Sequence, residues 1–235
     1  MTEALLLDVE GTTTPIDFVT RTLFPYAREH VSVFLAARRG EPGVAEDLAR
    51  LCEENAADVA GGEGAPAWGA GSAEEVVGYV HWLMDRDRKS TGLKALQGRI
   101  WEEGYRRGDL RGEVYDDVPA AFRRWRDEGR RIAIFSSGSV LAQQLLFRHS
   151  TAGDLTPFLD AHFDTTTGPK RQPDSYTLIA GHLGLPPRSV LFASDVAEEL
   201  DAARAAGMES ALCARDALPA RAAHRVIRSF DALIS

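Results

Sequence analysis

Two acidic residues stand on alternate positions near the start of the chain, where an apolar segment ends. Residues 4–7 are uninterruptedly apolar, and Asp8 and Glu10 follow them before a turn at Gly11. The pattern indicates a buried strand that stops at two carboxylates. A carboxylate can attack phosphorus as a covalent nucleophile, and two acidic residues beside an exposed carbonyl can bind Mg²⁺ through oxygen. The spacing of Asp8 and Glu10 suits both roles.

A second segment suited to chemistry is Ser136-Ser137-Gly138-Ser139, which lies between a predicted strand and a predicted helix. Hydroxyls and unpaired backbone N–H groups at the start of a helix form an anion site, and the positive end of the helix dipole adds to it. Ser136 and Ser137 are therefore candidates for binding a phosphate group. The alternative is that these serines only cap the helix.

Two later positions complete the set of candidate residues. Lys170 is a compact positive charge that can neutralise an aspartate nucleophile and a phosphoryl oxygen at once, although a loop lysine is usually only solvated. Asp195 ends an apolar run and could complete a Mg²⁺ site with Asp8 and the main chain of residue 10, unless it only caps the following helix. Glu199, one helical turn later, could hold Asp195 or a metal-bound water in place.

The elements around these residues alternate between strands and helices. Alternating strands and helices predict an α/β fold with a mostly parallel, doubly wound sheet and right-handed crossovers. In such a sheet, ligands bind outside the carboxyl ends of the strands, which is where Asp8, Ser136 and Asp195 would lie. The predicted strands cover residues 4–7, 131–135, 161–163, 190–193 and 210–214.

A long helical block separates the first strand from the second. No convincing alternating strand occurs between residues 17 and 113, whereas helical patterns are predicted at 17–39, 44–54, about 72–84 and 91–105. Asp17 can cap the first of these helices, Pro25 is expected to bend or interrupt it, and Ser72 with Glu75 forms a capping box for the third. We therefore expect a catalytic core, residues 1–16 and 117–235, with an inserted helical unit, 17–116.

The candidate residues occur in the order of the four motifs of the haloacid-dehalogenase-like (HAD) hydrolases, whose first motif reads Asp-x-Asp-Gly-Thr. Asp8-Val9-Glu10-Gly11-Thr12 resembles that motif with Glu10 in place of the second Asp. Together with Thr13-Thr14-Pro15, this variant resembles the enolase-phosphatases, or acireductone synthases, of methionine salvage. The likeness extends over residues 8–24, 93–101, 136–150 and 168–195.

The resemblance implies a Rossmann-like HAD core with an inserted helical cap. It implies conversion of 2,3-diketo-5-methylthiopentyl-1-phosphate to acireductone and phosphate, with enolisation before dephosphorylation. The catalytic residues would be Asp8, as nucleophile, and Glu10, as acid and base. One Mg²⁺ per subunit would be bound by Asp8, Asp195 and Glu10, the last through its carbonyl. Substrate would be bound by Ser136, Ser137 and Lys170.

Two features of the reaction stay open at this point. The group that removes the carbon-bound proton is unassigned, and Glu10 is the economical candidate because a carboxylate within reach of substrate can act as a general base. The cap is expected to exclude water and to contact the methylthio end. Lys94 and Gln97 are the cap residues that could reach the substrate, although a solvated helix face is an equally good interpretation.

Composition limits the partners. The chain of 235 residues has a formal net charge of −8 and a sequence pI near 5.3, which argues against broad binding to nucleic acid or an anionic membrane. No apolar run approaches the roughly 20 residues of a membrane span, and the N-terminus lacks a secretory pattern, so we expect a cytoplasmic protein and a monomer. Cys52 and Cys213 lack metal-ligand spacing.

Three alternative functions share some of these features. A HAD phosphatase acting on another small phosphomonoester would keep every candidate residue, and Glu10 with residues 12–15 is the discriminating feature. A dehalogenase would use Asp8 on carbon without a metal, which the acidic Glu10 argues against. A binding protein on an inactive phosphatase fold would not need Asp8, Lys170 and Asp195. Dinucleotide binding is excluded because no G-x-G-x-x-G follows the first strand.

Overall fold

The computed structural model describes residues 2–69, 71–216, 218 and 223–233. Its internal contacts divide the chain into two compact units. The first comprises Met1–Val19 with Arg111–Ser235, and the second comprises Thr20–Leu110. The first unit contains the sheet, and the second is helical in its described part.

The sheet of the first unit has six strands, and every neighbouring pair is parallel. Their order across the sheet is β3-β2-β1-β4-β5-β6, so the chain winds outwards from β1 in both directions. This confirms the predicted α/β, doubly wound architecture. The strands are β1 Ala4–Leu7, β2 Arg131–Phe135, β3 Ala161–Phe163, β4 Val190–Ser194, β5 Glu209–Cys213 and β6 Arg225–Ile227.

Strand β1 occupies the centre because it is apolar on both faces, and its four residues have no solvent exposure. Leu7 is in register with Ile134 of β2 and with Ala193 of β4. The carboxyl ends of these three strands are therefore level. Strand β6 was not predicted, because it is only three residues long and begins with an exposed arginine.

Helices cover the sheet through apolar clusters. Tyr176 lies on helix α8, Pro173–His182. Its ring packs edge-on against Phe135 of β2 and also contacts Phe192 of β4. Phe122 of helix α6 contacts Trp125 and Phe147, which form a second aromatic cluster. The helices of this unit are α1 Ile16–Phe18, α6 Val118–Asp127, α7 Val140–Arg148, α8 Pro173–His182 and α9 Ala197–Ala205.

In the helical unit, α3, Pro42–Ala60, packs against α5, Thr91–Arg107. Helix α2, Phe24–Arg38, packs against α5 and against α4, Ala73–Asp85. The prediction of one helix over 17–39 was wrong in detail, because a π-helical turn, Val19–Leu23, separates α1 from α2. Pro25 lies in the first turn of α2, where its missing N–H costs no hydrogen bond. Asp17 lies in the first turn of α1 and is not its N-cap. The helices are α2 Phe24–Arg38, α3 Pro42–Ala60, α4 Ala73–Asp85 and α5 Thr91–Arg107.

The local signals for the other helices have mixed outcomes. The capping box of Ser72 and Glu75 is present at the start of α4, as predicted. Helix α3 extends beyond the predicted 44–54 at both ends, because Pro42 occupies its first turn and the alanine-rich stretch to Ala60 stays helical. In the part of the chain that the structure describes, we find no helix with the length and apolar character to cross a membrane.

Candidate active site

The central feature of the site is a buried ion pair at the carboxyl end of β1. Lys170 Nζ lies 2.7 Å from Asp8 Oδ1 and 2.7 Å from Glu199 Oε2, and the lysine and aspartate side chains are 6% and 4% exposed. The backbone N–H of Val9 also donates to Asp8 Oδ1, at 2.8 Å. Asp8 and Lys170, predicted separately from sequence, are thus brought into direct contact. The alternative of a solvated loop lysine is wrong.

Lys170 stays charged despite its burial. Burial alone would lower the pKa of the ammonium, but the neighbouring Asp8 and Glu199 carboxylates outweigh it and raise the pKa. The loop is also fixed in place, since the buried Tyr176 hydroxyl donates to the Lys170 carbonyl oxygen at 2.7 Å. A permanent positive charge therefore lies beside the Asp8 carboxylate, where it can stabilise charge on a transferring phosphoryl group.

Ser194 connects the two carboxylates that contact Lys170. Its Oγ lies 2.9 Å from Asp8 Oδ2 and 3.1 Å from Glu199 Oε2, and it accepts the Val196 N–H at 3.1 Å. Because a hydroxyl carries one hydrogen, it can donate to only one of these carboxylates at a time. Burial and the Asp8 charge raise the pKa of Glu199 to about 7. Ser194 therefore links Asp8 and Glu199 by donating its single hydrogen to one or the other.

Glu10 lies within the same group of residues, and Ser136 orients it. The Ser136 hydroxyl donates to Glu10 Oε2 at 3.1 Å and accepts the Gly138 N–H at 3.0 Å. Burial, followed by the negative charge of Asp8, raises the pKa of the Glu10 carboxyl. A carboxyl group that holds its proton more tightly than usual is suited to acid and base chemistry near neutral pH.

The three serines of residues 136–139 have different contacts. Ser139 is the N-cap of α7 and accepts the Ala142 N–H, whereas the buried Ser136 contacts Glu10. The capping alternative therefore applies to Ser139. Ser137 is exposed in the loop between them. Gln143 supports this loop by donating from Nε2 to the carbonyl oxygens of Gly138 and Phe163, at 3.0 and 2.8 Å.

Asp195 follows β4 and faces the glycine turn of the first loop. It is not a helix cap, since the N-cap of α9 is Val196, which makes no side-chain capping bond. A Cβ atom added to Gly11 would lie only 2.2 Å from Asp195 Oδ2. Gly11 has a φ of +67°, a conformation that favours glycine. Burial and the charge of Asp8 raise the pKa of Asp195 to about 6.

These residues fit a divalent cation. Asp8, Asp195 and the carbonyl of residue 10 offer hard oxygen donors, which are the ligands that Mg²⁺ prefers. Burial, followed by the negative charge of Asp8, raises the pKa of Asp195, and the Lys170 ammonium offsets only part of this rise. Within the described ranges, no group of three or more His, Cys, Asp or Glu side chains is arranged to hold a metal. Two carboxylates and a carbonyl are therefore the candidate donors, and a set of this kind is compatible with Mg²⁺.

Several supporting residues were missed from sequence. Ser194 and Tyr176 act through single hydroxyls, and Thr13 Oγ1 donates to the Asp8 carbonyl oxygen at 3.0 Å. Only the position of Ser194 at a strand end was a usable signal. Of the residues predicted to lie in the cap, Gln97 is buried and Lys94 half-buried on α5. A fully solvated face therefore does not describe this part of α5.

The fold and this site define a hydrolase of the HAD type, with an aspartate at the end of the central strand and a lysine beside it. A sequence model described as haloacid dehalogenase-like hydrolase matches residues 2–207. Two crystal structures share the fold over 99% of this chain. One is a dehalogenase, 18% identical with a TM-score of 0.55 over 95% of its own chain. The other is CbbY from Rhodobacter sphaeroides, 21% identical with a TM-score of 0.57 over 96% of its own chain.

Closer relatives narrow the assignment. Proteins named Enolase-phosphatase E1 from Synechococcus elongatus and Sorangium cellulosum are 52% and 49% identical, over 97% of this chain and 96% and 95% of theirs. The protein of the same name from Drosophila mojavensis is 45% identical over 99% of this chain and 95% of its own length. The crystal structure of UTR4 protein from Saccharomyces cerevisiae is 31% identical, with a TM-score of 0.80 over 99% of this chain and all of that chain. The chain belongs to the enolase-phosphatases of the HAD-like hydrolases.

Replacing Gly11 tests the close approach of Asp195. We expect Gly11→Ala to lose about 1–2 kcal/mol of stability through its positive φ and to lose activity, because the new methyl group displaces Asp195. Gly129→Ala is the matched control, since Gly129 has a φ of +76° and a Cβ there meets no described atom within 4 Å. Urea unfolding and phosphate release would be measured for both variants. Equal activity in the two variants would contradict the assigned contact.

The pKa of Asp195 gives a pH dependence with a defined sign. Folding raises the pKa of Asp195 from 3.8 to about 6. The folded protein therefore binds this proton more tightly than the unfolded chain, and the free energy of unfolding falls as the pH rises from about 4 through 6. In EDTA, Asp195→Asn should therefore melt above the wild type at pH 8, with the gain vanishing near pH 4.

Asp154→Asn should melt below the wild type at pH 8, because hydrogen bonding by Thr156 lowers the pKa of Asp154. Thermal melts across this range would measure both effects, and a pH-independent difference for Asp195→Asn would reject the first.

Proposed function

We propose that this protein is an enolase-phosphatase that converts 2,3-diketo-5-methylthiopentyl-1-phosphate to acireductone, 1,2-dihydroxy-3-keto-5-methylthiopentene, and phosphate in methionine salvage. The observation that carries the phosphatase chemistry is the 2.7 Å pair of Lys170 and Asp8 at the end of the central strand. The substrate is supported by the relatives named Enolase-phosphatase E1, which match nearly the whole chain. Glu10, beside this pair, provides a group for the enolase step.

Asp8 is the nucleophile in this proposal. Lys170 and the Val9 N–H contact Oδ1, and Ser194 contacts Oδ2, so the carboxylate is oriented before substrate arrives. It attacks phosphorus in line, the bond from phosphorus to the ester oxygen breaks, and an aspartyl-phosphate forms. After Glu10 has protonated the ester oxygen, its carboxylate takes a proton from water as the water oxygen attacks this phosphorus. The bond from phosphorus to Asp8 breaks, and phosphate leaves.

A single Mg²⁺ per chain belongs to the proposal. Asp8, Asp195 and the carbonyl of Glu10 would hold it, and a bound Mg²⁺ supplies positive charge that stabilises the transferring phosphoryl group. Lys170 contributes its own charge to the same end, while Ser136 and Ser137 bind the phosphoryl oxygens. Asp195 packs against Gly11, which is next to residue 10 in the chain, and this close approach supports the assignment.

Glu10 acts first as base and then as acid. In the enolase step its carboxylate takes the carbon-bound proton, and the electron pair of the C–H bond forms the enol double bond. The π electron pair of the neighbouring carbonyl moves onto its oxygen, which takes a proton from water. The protonated Glu10 then gives that proton to the ester oxygen as the P–O bond breaks. The raised pKa of Glu10 favours the protonated state that the second step requires. Enolisation before dephosphorylation therefore leaves Glu10 in the form that the next step needs.

The organisation of the chain completes the proposal. The helical unit, predicted as residues 17–116, serves as a cap that excludes water, and residues 1–16 with 117–235 form the catalytic core. Lys94 and Gln97 of α5 are the candidate cap contacts to substrate. The enzyme is proposed to be monomeric and cytoplasmic, which suits an acidic protein that acts on a small phosphorylated metabolite.

The assignment predicts two coupled signals from one substrate. Purified protein incubated anaerobically with the diketo phosphate and Mg²⁺ should release phosphate and develop enediol absorbance together, and EDTA should abolish phosphate release. Asp8→Asn should lose phosphate release by at least about 10⁴-fold, because it lacks the nucleophile. Phosphate release from generic phosphomonoesters but not from the diketo phosphate would leave a HAD phosphatase of different specificity.

Removing the Glu10 carboxylate should slow both steps. We expect Glu10→Gln to reduce enolisation and phosphate release by roughly 10²–10⁴-fold, the usual contribution of a general acid or base. Glu198→Gln is the control, since Glu198 is an exposed carboxylate on α9 outside the site, and it should retain wild-type rates. Stopped-flow absorbance and phosphate detection would follow the two steps. A Glu10→Gln protein that enolises at the full rate would remove Glu10 from the role of base.

A further inference from the structure

A buried arginine far along the sequence holds the loop that carries Glu10. Arg215 lies two residues beyond β5, and its side chain is only 6% exposed. Its guanidinium carbon lies 4.3 Å from the ring centre of Tyr115 and 4.6 Å from that of Phe230. A charged group is buried in this way only when its hydrogen bonds are satisfied. The partners of Arg215 therefore indicate what it does.

One edge of the Arg215 guanidinium binds the first loop. Nε and Nη2 donate to the carbonyl oxygen of Thr12, at 3.0 and 2.6 Å. Nη1 contacts both carboxylate oxygens of Asp117, at 2.9 and 2.8 Å, and the Arg228 carbonyl oxygen at 3.2 Å. Asp117 also accepts the Phe230 N–H, at 2.5 Å. Arg215 thus joins the first loop to the start of α6 and to the C-terminal segment.

The loop from Val9 to Thr14 is tight and depends on backbone contacts. The N–H groups of Thr12, Thr13 and Thr14 all point to the Val9 carbonyl oxygen, at 3.2, 3.0 and 2.9 Å. The Thr13 carbonyl accepts the Tyr115 N–H at 3.0 Å. The hydroxyls of Thr12 and Thr14 are buried and have no hydrogen-bond partner among the described residues. The side chains of Thr12 and Thr14 therefore do not anchor the loop, and its orientation depends on the hydrogen bonds to its carbonyl groups.

We propose that Arg215, oriented by Asp117, is a positioning residue for Glu10. By fixing the Thr12 carbonyl two residues after Glu10, it holds the backbone from which the Glu10 side chain reaches Ser136. It contacts neither substrate nor the reacting atoms. The inference rests on the proposed function for the role of Glu10 as base and acid, and it adds the group that makes this role geometrically possible.

Arginine is suited to this task in a way that lysine is not. Its planar fork donates along one edge to a carbonyl and from its other nitrogen to a carboxylate, in a fixed geometry. A lysine ammonium at position 215 can reach Thr12 or Asp117 but cannot reproduce both contacts. Because displacement of a catalytic group by about 1 Å can cost about 10²-fold in rate, loss of this fork should slow the steps that use Glu10.

A double-mutant cycle tests the proposal on the diketo phosphate. We expect Arg215→Lys to lower kcat at least about tenfold with little change in KM, and Asp117→Asn to lower it by a smaller factor. In a Glu10→Gln background, Arg215→Lys should cause less than about a twofold further loss, because the residue it positions is already inactive. Arg124→Lys is the matched control, since Arg124 binds the Phe230 carbonyl at 2.9 Å and does not contact the first loop, and it should keep the wild-type kcat.

Different outcomes would contradict the positioning role of Arg215 and the proposed enolase-phosphatase function. A wild-type kcat in Arg215→Lys, or the same fold loss with and without Glu10, would overturn the positioning role. Should Arg215→Lys fail to fold in thermal melts, Asp117→Asn in the same cycle decides, because it leaves the guanidinium in place. A wild-type protein inactive on the diketo phosphate would overturn the proposed function instead. The cycle run on a simple alkyl phosphate, whose alkoxide leaving group needs the proton from Glu10, would then decide the role of Arg215 independently.

Discussion

The buried ion pair of Lys170 and Asp8 is the interaction on which the site depends. An unpaired charge at this depth would cost several kcal/mol, so the loop that carries Lys170 must lie against the end of β1 whenever the core is folded. Tyr176 fixes that loop through its hydroxyl and packs its ring among the core side chains Phe135 and Phe192. Packing of the apolar core and orientation of the nucleophile are therefore coupled.

Around this pair, carboxylates outnumber the positive charge that Lys170 provides. Asp8, Glu10, Asp195 and Glu199 lie at one edge of the sheet, and burial together with the Asp8 charge raises the pKa of the other three. The same imbalance favours the proposed divalent cation, and it lets these carboxyl groups keep a proton at a higher pH than usual. It also opposes folding, so the core must offset a destabilising group of charges. Strong hydrophobic burial of the central strands provides that offset.

The first loop illustrates how a short segment is held by distant parts of the chain. Gly11 permits the turn and leaves room for Asp195, while Thr12 and Thr13 present their carbonyl groups to Arg215 and Tyr115. Arg215 is 203 positions away from Thr12 in the sequence. Winding of the sheet outwards from β1 places the end of β5 on the same edge as the end of β1, which brings the two together. The rigidity of the loop is thus a property of the whole sheet.

The sequence by itself determined the fold class, most strand bounds and the candidate residues for the chemistry. Continuous apolar runs identify buried strands locally, and a polar residue at the end of such a run is visible without knowledge of its neighbours. An interruption of the first predicted helix near Pro25 was expected, but its π-helical form was not. The length of α3 was missed, because alanine-rich segments are compatible with more than one local structure. Strand β6 was missed because a three-residue edge strand has too few side chains to form a pattern.

Only the tertiary structure decided which serine caps α7 and which contacts Glu10, and it alone identified Ser194 and Arg215. Neighbouring hydroxyls look alike in sequence, since their roles depend on which acceptor lies within about 3 Å. A charged residue in a loop is likewise indistinguishable from a solvated one until its burial and its partners are known. These contacts join positions far apart in the chain, and their existence depends on the order of strands in the sheet, which no local pattern encodes.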